Sequence, residues 1–182
     1  MMDVISLINE SLQIVYSFIP QELFIVILAV LIMGIFTKRE DRNSAKKTTR
    51  KSKALKLRRK LKKETSTKRK YITKYKDIKD YFKLLNNALF SGKLSPFGQV
   101  EIKDLARQKC IGQVVVLEWK RAGTRLYKLE MLPSYPNKKD FLDTLVHEMV
   151  HLYQMQNLGD TGNHNDLFWS FEPKVNYVGL RL

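Results

Sequence analysis

His147, Glu148 and His151 stand at H-E-x-x-H spacing inside an apolar stretch, TLVHEMVHLYQ at 144–154. On a helix, positions i and i+4 differ by about 40° around the axis and lie about one turn apart. Two imidazoles so placed point at one spot, which suits adjacent corners of a zinc tetrahedron. Glu148 lies at the edge of the same face, within reach of a water on that metal, and is the candidate general base. The chain has 3 histidines in all, and the last, His164, follows His151 across a Gly-containing loop. A loop of that length can fold back beside the helix and offer a third ligand. Three protein ligands and one open position is the arrangement of catalytic rather than structural zinc. The expected site is therefore Zn2+ on His147, His151 and His164, with Glu148 as catalytic base.

Other side chains near the motif carry weaker signals. Asp160, Asn163 and Asp166 could orient the imidazoles, though each reads equally well as loop or cap. Tyr153 could assist an oxyanion but reads more simply as a packed tyrosine. Phe168 and Trp169 are expected beneath the site. Cys110 is the single cysteine, which rules out an intrachain disulfide framework and a Cys-rich zinc ribbon.

The elements that must hold these residues follow from pattern. Asn137 can cap a helix over 138–158, with Asp140 in its first turn favouring the dipole and Gly159 at its end. Ile78, Tyr81, Phe82, Leu85 and Leu89 form one helical stripe. Gln99–Lys103 and Gln113–Trp119 read as strands, with Ala122-Gly123-Thr124 as a turn and Arg125–Leu132 as the hairpin partner of the second. A short helix is expected near Asp166–Phe171. The order is helix, about three strands, then helices, an α+β layout.

Residues 77–172 resemble the SprT-like metallopeptidase domain, a zincin of the gluzincin type. The resemblance lies in FKLLNNALFSGKL at 82–94, in the hairpin region, in TLVHEMVHLYQ at 144–154, and in HNDLF at 164–168, similar to the family's H-G-x-x-F. It implies a small zincin-like fold over 77–182 and a peptidase acting on protein or peptide. It also implies His147, His151 and His164 as zinc ligands and Glu148 as general base. Asn165 stands where the family has glycine, which leaves the local backbone conformation open; Asn tolerates left-handed angles better than most residues.

Charge is distributed very unevenly. The net charge is +15 and residues 38–76 alone carry +16, a segment that reads as a polybasic linker, disordered or transiently helical. The balanced remainder argues against a basic nucleic-acid binder throughout. Two partners compete for the linker: an anionic membrane surface, and nucleic-acid phosphates through residues 46–63.

The apolar run Leu23–Phe36 spans about 21 Å as a helix, against about 30 Å of hydrocarbon. Extended back to Phe18 it reaches about 28 Å, and a transmembrane helix over 18–36 is expected within an N-terminal segment 1–37. Basic residues directly after it place the N-terminus outside and the catalytic domain in the cytoplasm. The alternative is a cytoplasmic soluble protein. Three functions are thus in play: a membrane-anchored zinc peptidase, a protease acting on DNA-bound proteins through the basic segment, and a non-catalytic membrane-attached scaffold held together by zinc.

Overall fold

The computed structural model describes residues 21–117, 125–159 and 162–182. Helix α1 (Gln21–Glu64) is followed by β1 (Tyr71–Ile72), α2 (Tyr75–Leu89), β2 (Gln99–Ile102) and a 3-10 turn at Ala106–Gln108. Then come β3 (Gly112–Leu117), β4 (Leu126–Met131), β5 (Ser134–Tyr135), α3 (Lys138–Asn157), α4 (Asp166–Trp169) and α5 (Glu172–Tyr177). The layout is α+β. The chain divides into two compact units between Thr48 and Thr49, and every residue of the candidate site belongs to the second.

In that unit β4 is the central strand of a three-stranded sheet in the order β2-β4-β3. It pairs antiparallel with β3, Val114 opposite Leu129, and parallel with β2, Val100 opposite Leu129. The β3–β4 pair is the expected hairpin, whose turn at 122–124 lies outside the described residues, as does Trp119 at the expected end of its first strand. Behind the sheet lies α3. Phe141, Leu142, Leu145, Val146, Met149, Val150 and Leu152 are all fully buried on it. Each such side chain contributes about 1.5–3 kcal/mol relative to exposure, so this helix is the most firmly seated element of the unit. Its start is fixed as expected, because the Asn137 side chain accepts from the Asp140 N–H at 3.0 Å. Gly159, just past its end, has φ +65°, a left-handed angle at which a side chain would strain the turn. The stripe on α2 is buried at all five expected positions.

The segment expected to be a linker over 38–76 is helical through Glu64. Ala54, Leu57 and Leu61 fall at i, i+3 and i+7, and Leu57 and Leu61 join the core of the second unit. The helix end is pinned there: Glu64 accepts from Tyr81 and from Lys138 Nζ, the latter at 2.7 Å. β1 then pairs antiparallel with β5, and Thr73 Oγ1 donates to the Leu132 carbonyl at 2.6 Å.

The expected transmembrane helix is corrected. Residues 18–20 lie outside the described residues, and among the described residues no helix is long and apolar enough to cross a membrane. The physical reason is the shortness of Leu23–Phe36, which α1 continues directly into Lys38, Arg39 and Glu40. With the span falls the location built on it, an outside N-terminus with the catalytic domain on the cytoplasmic face.

Candidate metal centre

α3 carries both residues of the histidine pair, and its burial determines where they point. His151 is buried and His147 half-buried, on the face turned towards the loop 162–165 and α4. The His147 and His151 Nε2 atoms lie 3.1 Å apart. His164, exposed, reaches in from the loop to place its own Nε2 2.9 Å from that of His147. All three ligand atoms lie within 4.8 Å of one another. The structure thus brings together the three expected ligands.

Whether these residues suit a metal can be tested on the nitrogens themselves. An Nε2 either carries one proton or one in-plane lone pair, so His147 can make a good hydrogen bond to only one of its two neighbours. Three nitrogens converging on one point could hold a shared cation. Tetrahedral ligands at about 2.0–2.1 Å from zinc stand about 3.3 Å from one another, close to the two separations from His147, with all three atoms within 4.8 Å. Burial and the two neighbouring imidazoles push the His147 pKa down to about 4, so its ring is neutral, the form that ligates.

The outer nitrogen of His151 decides its tautomer. Nδ1 lies 3.1 Å from Oε1 of Gln154. Gln154 is fully buried, and its Nε2 donates to the Asn163 carbonyl at 2.9 Å and to Asn165 Oδ1 at 3.2 Å. Two acceptors on that side fix which end of the amide is nitrogen, so Oε1 faces His151 and Nδ1 must donate. The proton therefore sits on Nδ1, and Nε2 turns its lone pair towards the point where the three rings meet. Gln154 also ties the loop carrying His164 to the helix carrying the pair.

Gln154 was not singled out in the sequence. The available signal was its position three residues after His151, one turn along the same face. Of the expected orienting residues, Asn163 takes part through its backbone carbonyl. Asp160 lies outside the described residues, and Asp166 sits in the first turn of α4. Asn165 has φ −90° and ψ −177°, extended backbone that any residue adopts, so the position needs no glycine. Its Oδ1 caps α4 by accepting from the Phe168 N–H at 3.1 Å.

Phe168 is fully buried and its ring lies 4.9, 4.8 and 4.6 Å from those of His147, His151 and His164. It is the floor of the site, as expected. Trp169 is 45% exposed, with its ring 6.3 Å from His164, and does not lie beneath. Tyr153 packs on Phe90 and Phe171, the simpler of its two readings. Cys110 is a free, half-buried thiol that burial pushes up in pKa.

Glu148 is 5% exposed. Burial pushes its pKa up to about 8, opposed by the Val114 N–H donating to the carboxylate. β3 thus runs directly alongside the candidate base. The approach is tight: a Cβ on Gly112 would stand 2.5 Å from Thr144 Cγ2 and 3.4 Å from Glu148 Oε1. A cavity of about 360 Å³ opens beside the pair, walled by Ile111, Thr144, His147, Glu148 and Leu182.

No protein-family model matches the chain, and neither does a curated protein or a solved structure. The chemistry therefore rests on this geometry and on the donor set: three imidazoles that could hold a metal ion and one buried carboxyl beside them.

Proposed function

We propose that the chain is a zinc-dependent metallopeptidase of the SprT-like kind. The observation that carries this is the convergence of three histidine Nε2 atoms next to one buried glutamate. His147, His151 and His164 would hold the ion. When bound, zinc supplies Lewis acidity at a carbonyl oxygen and a water acidic enough to ionise near neutral pH.

The rest falls to the chain. Glu148, in its carboxylate form, takes the proton of the attacking water as the new C–O bond forms. It hands that proton to the leaving amine nitrogen as the C–N bond breaks, and returns to its starting state. Gln154 keeps the His151 proton on Nδ1. β3 is an edge strand of its sheet as described, so an extended peptide laid along it brings its backbone to Glu148. The cavity beside the pair has room for one substrate side chain.

The test is turnover by the full chain and by Glu148→Gln on an unstructured protein substrate. The variant should keep its zinc and lose about 100-fold or more in rate. Equal rates would remove Glu148 from the mechanism. Zinc retention with no turnover by the wild type would favour a metal that only holds the domain together.

A further inference from the structure

The cavity beside His147 and Glu148 runs along one face of α3. Asp140, Thr144 and Glu148 follow one another at i, i+4 and i+8 on its lining. Eight helical residues span about 12 Å, so the reacting centre stands at one end of the cavity and the Asp140 carboxylate at the other. The wall between them is apolar. It is made by Ile111, which is 58% exposed, by Leu182, and by Thr144, whose hydroxyl is spent on the Asp140 carbonyl at 2.9 Å.

The two carboxylates at the far end are unequally matched. Asp143 is saturated: Lys139 Nζ donates to it at 2.6 Å and the Arg181 backbone N–H at 2.9 Å, while Arg181 Nε stands 3.5 Å away. Asp140 has no such cation. Its side-chain partner among the described residues is Asn137 Nδ2, 2.9 Å from Oδ2. Arg181 is the one Lys or Arg of the lining, and its side chain is 72% exposed.

An apolar wall that ends in a carboxylate suits a long side chain with an aliphatic stem and a cationic head. A purely apolar side chain would strip water from Asp140 and return no hydrogen bond. An acidic one would meet like charge. The stem of a lysine or arginine covers Ile111 and Leu182, and its head donates to Asp140. The chain's own Arg181, held against Asp143, is a guanidinium already placed at that end. We infer that this cavity takes the lysine or arginine side chain of a peptide substrate next to the scissile bond, and that Asp140 determines the choice. The inference rests on the peptidase reading above and names its substrate.

The experiment uses the zinc-loaded full chain. Cleavage sites in an unstructured protein are mapped by mass spectrometry. A peptide spanning the most cleaved site is then made with Lys, norleucine or Glu beside the scissile bond, on each side in turn. Norleucine keeps the stem and removes the charge. On one side of the bond, kcat/KM should favour Lys over norleucine by at least about tenfold, with Glu lowest. Asp140→Asn, which can still accept from Asn137, should bring the Lys-to-norleucine ratio to within about twofold of one. Binding of the same labelled peptides to the Glu148→Gln chain, read by fluorescence anisotropy, should give the same order without turnover. Equal kcat/KM for Lys and norleucine on both sides would overturn the inference and leave the peptidase reading standing. A preference that survives Asp140→Asn would also overturn it. A wild type that cleaves nothing would overturn the peptidase reading, and this inference with it.

Discussion

Oε1 of Gln154 lies 3.1 Å from Nδ1 of His151, one turn earlier on the same helix. The other end of the amide bonds the loop that carries His164. One buried side chain therefore sets the tautomer of one ligand and the position of another. Gln154→Ala should lower zinc affinity by about 10–100-fold, measured by competition with a chromophoric chelator, while the helix content of the chain is kept. An unchanged affinity would mean the network is packing only.

Gly112 has no unusual backbone angle; it is needed for clearance. Its missing Cβ leaves room for Thr144 and Glu148 at the point where β3 crosses α3. Gly112→Ala should destabilise the fold by about 1–3 kcal/mol and displace Glu148, lowering turnover. Gly112→Ala combined with Thr144→Ser, which removes the clashing methyl, should recover most of both. Urea unfolding and rate measurements on the single and double variants check this.

Leu61 tests where the domain begins. It is 1% exposed and belongs to the core shared with α2 and α3, although its neighbours in sequence are almost all basic. Leu61→Ala should cost about 2–5 kcal/mol, read from denaturant midpoints. A cost near zero would mean the basic segment is a tether after all.

The same residue shows where sequence reading stops. The stripe Ala54, Leu57 and Leu61 is a legible helical period, but three apolar side chains among so many cations look like too little to bury, and the surface they cover belongs to residues far along the chain. The pairing of β1 with β5, and of β2 parallel to β4, is equally long-range: β1, β2 and β5, of two to four residues, carry no signal of their partner. By contrast, α3 was legible from its cap at Asn137 to its end at Gly159, because cap, apolar face and histidine spacing are all local. His164 was found through residue type and scarcity, and Phe168 through proximity to it. Gln154 was missed because a buried glutamine looks, in a sequence, like an exposed one.

Glu130 makes stability depend on pH. Burial pushes its carboxyl up, but hydrogen bonds from Lys103, Lys128 and Gln113 outweigh that and hold it down at about 2, against 4.5 for a free glutamate. The unfolded chain thus binds the proton first as pH falls. The stabilisation is complete above about pH 4.5 and is lost progressively towards pH 2. Glu130→Gln should flatten the stability–pH curve across that window, as measured by urea unfolding at stepped pH. An unchanged slope would mean the carboxylate is not preferentially charged in the fold.

The central claim is a metal centre made by the three histidines of the chain. It is tested most directly by the zinc content of the purified full chain after equilibration with excess zinc and removal of the unbound ion, compared with His164→Ala. The account predicts one tightly held zinc per chain in the wild type and its loss in the variant. A wild type that holds no zinc, or a variant that holds as much as the wild type, would contradict it.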